Sequence, residues 1–458
     1  MVKSMQKNRF RENIKTLNTG LKEIHELQPW VLTVTIFDSL FKSLAPFINI
    51  YMTARIIDEL LGVKDIDRLI FLVGLTIGLN LIVHLISTGL DHLRTMLRSI
   101  MMQNQDMKMN EKIINMDYEH VENPETHKLR TKIAEAENFN GGGIINLLNH
   151  LGAFAKGLAT VITSMVLVIE LFKPNMVAEG NLYFINSKLF SYGFLILILA
   201  GTIFNLYLKT LEDKKIFKYF SGVMDLNRIY GFYYDQVLDY NAGKEIRLYD
   251  QKHIYDKEIK SFIAGSNKTL KGMEDTNAKY GGISALISSS IGGLVYIFVG
   301  LKAIVGSISI GSIVQYTGSI TQFISGSTEI LTSINNIINN NQYLQLYIDF
   351  LNIEGEKYKG TLPVEKRDDD EYEIEFRNVS FKYPDTDEYV LKDVSIKLNI
   401  GERLAIVGMN GSGKTTFIKL LCRLYDPDEG EILLNGIDIK KYDYEEYMNL
   451  FSIVFQDF

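Results

Sequence analysis

The stretch Gly408-Met409-Asn410-Gly411-Ser412-Gly413-Lys414-Thr415, followed by Thr416, fits the phosphate-binding pattern GxxxxGK[ST]. In this pattern the glycines let backbone N–H groups approach phosphate oxygens, the lysine reaches the β and γ phosphates, and the Thr415 hydroxyl is a ligand for Mg²⁺. The apolar run 404–407 predicts a strand before the loop, and the spacing of apolar residues over 417–424 predicts a helix after it. A strand, a glycine loop and a helix N-terminus form an anion cradle. The sequence therefore predicts a nucleotide-phosphate site made by Gly408, Asn410, Gly411, Ser412, Gly413, Lys414, Thr415 and Thr416.

The chain has 458 residues, enough for a membrane domain joined to one soluble domain. Long apolar runs occupy 30–340, whereas charge concentrates at the amino end and beyond residue 350. The net charge of −7, with no basic stripe of interleaved aromatic residues, argues against nucleic acid as a partner. The single cysteine, Cys422, is expected to be a buried free thiol, and the histidines show no metal-ligand spacing.

Residues 1–29 predict an amphipathic helix that lies on an anionic membrane face. Apolar residues recur there at steps of three and four, with basic residues between them: Phe10, Ile14, Leu17, Leu21 and Ile24. An amphipathic helix that packs on protein is the alternative.

Six segments are apolar over about 20 residues, the length that crosses a hydrocarbon core. They are 30–57, 69–90, 144–171, 190–208, 283–305 and 308–338. The first and the last are the least apolar, so we expect them to line a protein-walled cavity or to face each other. The segments predict a six-helix transmembrane domain over 30–351.

The connections between these segments alternate in length and charge. Residues 91–140 and 209–280 are long, helical in pattern and rich in Lys and Arg, whereas the other connections are short and carry few cations. Because positive residues stay on the cytoplasmic side, the pattern predicts a multi-pass protein of the cell membrane with both termini in the cytoplasm. Proline or glycine interrupts the long connections at 116–124 and 239–249, where we expect docking surfaces, with solvated hairpins as the alternative.

Residues 352–371 predict a linker, since they contain glycine, proline and the acidic run Asp368-Asp369-Asp370. Beyond them short strands are predicted at 372–376, 379–383, 390–398, 404–407, 431–434 and 451–455. Asn435-Gly436 predicts a hairpin turn. The predicted fold is an α-helical six-span transmembrane domain followed by an α/β P-loop nucleotide-binding domain over 372–458.

Six spans with long helical connections, a linker and a strand-rich nucleotide domain resemble an ATP-binding cassette (ABC) exporter of the half-transporter kind, along nearly the whole chain. Val379-Ser380-Phe381-Lys382-Tyr383-Pro384 is similar to the family's A-loop, which implies that Tyr383 stacks on adenine. Val454-Phe455-Gln456-Asp457 is similar to the Q-loop, which implies that Gln456 contacts Mg²⁺ and the region of the attacking water. The two interruptions match the positions of the family's coupling helices.

The resemblance implies ATP and Mg²⁺ as cofactors, a second half-transporter as partner in a homo- or heterodimer, and a small-molecule, peptide or lipid cargo. The implied function is ATP-driven export. The family's LSGGQ signature, Walker B aspartate, catalytic glutamate and switch histidine have no match in this sequence. We therefore expect a truncated copy that binds ATP without hydrolysing it, with ABC-type ATPase activity in a full-length subunit only. A short regulatory protein that modulates a full-length partner is the alternative, and an importer of the same fold is a further one.

Charged residues also occur within the predicted spans. Asp38 and Lys42 are four residues apart on one helix face, so they can pair with each other or contact cargo. Glu329 on the last span leaves the same two interpretations open. Lys302 lies near a span end, and we expect its side chain to reach toward the interface.

Overall fold

The computed structural model describes residues 2–62, 64–138, 142–172, 187–353, 355, 360–364, 372–384, 386–399 and 401–454. The chain divides into two compact units. The first consists of Met1–Met102 and Gly142–Leu344, and the second of Gln103–Gly141 and Gln345–Phe458. The chain thus enters the second unit, returns to the first, and enters the second again.

Helices make up the first unit and also supply the first segment of the second. In chain order they are α1 (Val2–Leu27), α2 (Val31–Leu61), α3 (Ile66–Asn115), α4 (Tyr118–Glu122), α5 (Pro124–Asn138), α6 (Ile144–Val168), α7 (Lys188–Leu238), α8 (Ala242–Leu248), α9 (Lys252–Ile304) and α10 (Ile310–Leu351). Both predicted interruptions of the long connections are therefore short helices, α4 and α8, bounded by chain turns.

Five stretches among the described helices are long and apolar enough to cross a membrane. They lie in α2, in α3, at Ile144–Leu171, at Leu189–Ile216 within α7, and in α9. They correspond to the first five predicted spans. The sixth, 308–338, overlaps α10, a continuous helix of 42 residues whose most apolar stretch, interrupted by serine, threonine and glutamine, is less apolar than those five stretches.

Within the first unit, α2 packs along α6, and α7 packs along α9. Glycines bring α6 and α10 together, since a Cβ on Gly157 would lie 3.0 Å from the carbonyl oxygen of Gly326. The second half of α1 packs on protein: Ile24 and Leu27 are buried, and Gly20 lies against side chains of α6 and α10. The protein-packed alternative for the amino-terminal helix therefore describes this half of α1.

Charges of the first unit form ion pairs. The Lys42 ammonium lies 3.0 Å from Asp38 on α2 and 2.8 Å from Asp91 on α3, and the Arg94 guanidinium contacts both carboxylates at 3.3 Å and 2.6 Å. The predicted Asp38–Lys42 pair is thus part of a four-residue network.

Two further charged residues bridge helices of this unit. Glu329 on α10 pairs with Lys156 on α6 at 3.0 Å. The expectation for Lys302 is wrong, because its side chain is buried and donates to the Leu171 carbonyl oxygen at the end of α6's 3-10 extension. Carbonyl groups in the last turn of a helix commonly lack an intrahelical donor, and Lys302 supplies a donor to Leu171.

The second segment of the second unit, Gln345–Phe458, contains an antiparallel sheet and two short helices. Beyond the end of α10, its elements are β1 (Glu373–Phe381), β2 (Leu391–Asn399), α11 (Lys414–Leu421), β3 (Glu429–Leu434), β4 (Ile437–Asp438) and α12 (Tyr444–Met448). The strand order is β2-β1-β3-β4, with Phe376 opposite Ile396 on one side and Ile432 on the other. Phe376 stacks on Phe417 of α11, so the sheet and the helix share one core.

Four predicted strands are corrected by this sheet. The predicted strands 372–376 and 379–383 are one strand, β1, with irregular register between Phe376 and Phe381. The predicted strands 404–407 and 451–455 are not formed in their described residues. A strand requires a hydrogen-bonded neighbour, and the four strands of the described sheet pair only with one another. The hairpin turn at Asn435-Gly436 is confirmed, with φ angles of 52° and 78°.

Candidate nucleotide-binding site

The glycine loop turns directly into α11. Gly411 and Gly413 have φ angles of 84° and 86°, a region that only glycine enters without strain. Gly413 also approaches β2 closely, because a Cβ there would lie 2.9 Å from the Leu391 side chain. The Lys414 ammonium donates to the carbonyl oxygens of Gly408 and Met409, at 2.9 Å and 2.8 Å. The loop thus holds its lysine above the N-terminus of a helix.

The remaining predicted residues of the loop differ in their exposure to solvent. Asn410, Gly411, Ser412 and Thr415 are exposed, whereas Thr416 is buried in the first turn of α11. Exposed amides, a lysine and a hydroxyl at a helix N-terminus are groups that bind phosphate and its Mg²⁺, so the residues present fit ATP·Mg²⁺. Gln456 lies outside the described residues.

The structure brings Tyr383 to α11. Its hydroxyl lies 3.0 Å from the Thr416 Oγ1, and its ring packs edge-on against Phe381 and Tyr425, with centroids 5.2 Å and 5.5 Å away. Tyr383 also lines a cavity of about 700 Å³, together with the acidic residues Asp117, Glu119, Asp387, Asp426 and Asp428. Lys382 is the one lysine among the described residues of this lining, so the carboxylates leave the lining with a net negative charge, which disfavours a triphosphate.

The short helix α4 contacts α11 and the residues that follow it through an ion pair, a hydrogen bond and an aromatic contact. The Lys419 ammonium of α11 lies 2.7 Å and 2.9 Å from the two carboxylate oxygens of Glu122. The Tyr425 hydroxyl donates to the same carboxylate at 2.5 Å, and Tyr118 packs edge-on against the Tyr425 ring. The predicted docking of the first interruption is therefore observed within the second unit.

Burial and hydrogen bonding act in opposite directions on this ion pair. Burial alone would raise the pKa of Glu122, but the hydrogen bonds from Lys419 and Tyr425 outweigh it and hold the pKa below the ordinary 4.5. Burial likewise opposes the charge on Lys419, yet the Glu122 carboxylate raises the lysine pKa above 10.5. Both groups therefore stay charged across neutral pH. Their stabilisation is full between the ordinary values of 4.5 and 10.5, and it is lost as pH falls from 4.5 through the lowered glutamate pKa or rises from 10.5 through the raised lysine pKa.

Sequence reasoning missed Glu122, Lys419 and Tyr425. Glu122 and Lys419 are 297 residues apart, so no local pattern joins them. One signal was present: Lys419 occupies the apolar face of α11 beside Leu420, where a lysine needs an opposite charge. The second interruption, α8, buries none of its side chains, and its docking role stays a prediction.

Residues 391–458, which include the loop and α11, match the family model of the ABC transporter. This part of the chain is an ABC transporter domain. Nearly all of the chain, 97%, is similar to the subtilin transport ATP-binding protein SpaT of Bacillus subtilis, with 28% identity over 452 residues that make up 69% of that relative. It is also 32% identical over 222 residues to the ATP-dependent lipid A-core flippase of Escherichia coli K12, which covers 47% of this chain and 36% of the flippase. The flippase of Shigella sonnei aligns with the same identity over 224 residues.

Proposed function

We propose that this chain is a subunit of an exporter that uses ATP to move cargo across the cell membrane. The observation that carries the proposal is the loop geometry: Lys414 and two left-handed glycines lie at the N-terminus of α11, and Tyr383 contacts the first turn of the same helix through Thr416. Membrane-length helices in the first unit and the exporter relatives support the transport part.

In this proposal the loop amides and Lys414 bind the phosphates, Thr415 is a ligand for Mg²⁺, and Tyr383 stacks on the base. Gln456 contributes to the Mg²⁺ site. A second half-transporter completes the transporter in the bilayer, and both termini face the cytoplasm. The relative that aligns along most of the chain is named for subtilin transport, so a subtilin-like cargo is the first to test.

The nucleotide site is tested by ATP binding to the full chain in detergent. Lys414→Ala should weaken ATP affinity about ten- to hundredfold, because one charge-assisted contact is worth about 1.5–3 kcal/mol. Lys392→Ala, an exposed lysine on β2, is the matched control and should bind ATP as the wild type does. Unchanged affinity in Lys414→Ala would remove the phosphate-loop assignment.

A further inference from the structure

One ammonium group contacts both the proposed base-binding tyrosine and α4. The Lys419 Nζ lies 5.5 Å from the ring centroid of Tyr383, 5.4 Å from that of Tyr118 and 5.7 Å from that of Tyr425. Aromatic faces attract a cation at these distances. Since the same nitrogen also bonds both oxygens of Glu122, three rings and a carboxylate form a cage around one charge.

The cage leaves little freedom for its members to move separately. Lys419 and Tyr425 are nearly fully buried, and the Tyr425 hydroxyl is held by Glu122. Tyr383 is fixed at its hydroxyl by Thr416 and at its ring edge by Phe381 and Tyr425. A change in the Tyr383 ring position must therefore alter the surroundings of the Lys419 ammonium.

The cage joins α11 to the last residue of α4. α4 is five residues long, and its Tyr118 packs against the apolar core of the second unit. Its Glu122 carboxylate accepts hydrogen bonds from both Lys419 and Tyr425. The ion pair is thus one of the contacts that hold α4 against α11.

We propose that Lys419 is the positioning residue through which nucleotide on Tyr383 steadies α4. A base stacked on Tyr383 restrains one wall of the cage, which orders the ammonium and, through Glu122, the backbone of α4. The inference rests on the proposed nucleotide site, since it requires a base at Tyr383. It assigns no chemical step to Lys419.

Hydrogen exchange of the α4 backbone amides in the full chain, with and without ATP, tests this inference. In the wild type, saturating ATP should slow exchange at Tyr118–Glu122 by about threefold or more. Lys419→Met keeps the aliphatic stem but removes the charge, and here α4 should exchange at the same faster rate with and without ATP. Saturation is verified by measuring ATP affinity for each variant.

Two further variants separate the ion pair from general damage. Lys419→Arg keeps a cation and should retain the ATP response at least in part, and the charge exchange Glu122→Lys with Lys419→Glu should restore part of it. Glu125→Gln removes an exposed carboxylate at the start of α5 that pairs only at the surface with Lys128, and it should respond as the wild type does.

Each outcome has a definite meaning. An ATP response in Lys419→Met equal to that of the wild type overturns the role of Lys419 while leaving the nucleotide site intact. Absence of ATP binding to the wild type overturns the nucleotide site and this inference together. Loss of the response in Lys419→Met with its recovery in Lys419→Arg supports the inference.

Discussion

Gly430 allows β1 to bulge where it crosses β3. Its φ angle is 80°, and a Cβ there would collide with the backbone carbonyl oxygens of Arg377 and Asn378. The register between β1 and β3 shifts between Arg377 and Ser380, directly at this approach. Backbone atoms cannot move aside as a flexible side chain can, so the bulge requires a glycine.

Gly430→Ala should therefore lower the free energy of unfolding of the second unit. The loss should clearly exceed about 1–2 kcal/mol, the strain of a left-handed backbone alone. Gly436→Ala is the matched control, because its φ of 78° is similar but nothing lies within 4 Å of the added Cβ. Thermal unfolding of both variants of the full chain gives the comparison. Equal losses of stability would mean that the carbonyl contact at Gly430 has no energetic role.

Local chemistry determined which single residues could be predicted. Asn435 and Gly436 tolerate positive φ, so their turn could be predicted without knowledge of the rest of the molecule. Two glycines of the phosphate loop could be predicted for the same reason, since they too have positive φ angles. The Glu122–Lys419 pair could not be predicted, because its partner choice depends on how a distant short helix meets α11.

Among the elements, the run 404–407 shows how tertiary context overrides a strand pattern. Its residues are apolar, yet Val407 is 88% exposed and Leu404 is 49% exposed. The run pairs with no strand of the described sheet, although β2 and β4 lie at its edges. Periodicity predicts that a segment can be a strand, but only a hydrogen-bonded neighbour makes it one.

Polar contacts join α2 and α3 along their length. The Arg68 guanidinium lies 3.3 Å from Glu59, the Asn80 amide donates to Asn49 at 2.7 Å, and Lys42 pairs with Asp91 at 2.8 Å. Residue numbers rise along α2 as they fall along α3, so the contacts hold the two helices antiparallel. Only the Asp38–Lys42 part of this pattern was accessible from helix spacing in the sequence.

The end of α2 caps the start of α10. The Asp58 carboxylate accepts hydrogen bonds from the Ser309 hydroxyl and the Gly311 backbone N–H, both at 2.8 Å. A backbone N–H in the first turn of a helix has no partner within the helix. Asp58 therefore supplies the cap from another element, and Gly311 leaves the space for it.

Asp58→Ala should lower the stability of the full chain by about 1 kcal/mol, the usual effect of removing an N-terminal cap. Asp58→Asn keeps an oxygen that can accept from Gly311 and should lose clearly less. Thermal unfolding in detergent measures both. If the alanine variant unfolds at the wild-type temperature, the contact does not stabilise α10.

Thiol labelling can determine the proposed orientation of the whole molecule in the membrane. Cys422 is 1% exposed, and burial raises its pKa to about 11, so it should not react with a maleimide at neutral pH. The wild-type chain should therefore give no background labelling. Exposed positions on opposite sides of the predicted membrane, such as Asp67 and Asn241, can then be replaced one at a time.

Asp67→Cys should be labelled in intact cells by a membrane-impermeant maleimide, whereas Asn241→Cys should be labelled only after the membrane is opened. The expected direction follows from the lysine- and arginine-rich connections. Labelling of Asn241→Cys in intact cells would reverse the orientation. The wild type, with Cys422 alone, controls for background in both experiments.

The second unit takes Gln103–Gly141 from the middle of the helical region and joins it to Gln345–Phe458. Chimeras between this protein and its relatives should take these two segments from the same parent. A graft made at residue 345 alone would leave Glu122 facing a foreign α11, whose residue at the position of Lys419 need not be basic. Compatibility between donor and recipient therefore depends on contacts between two segments that are far apart in the sequence.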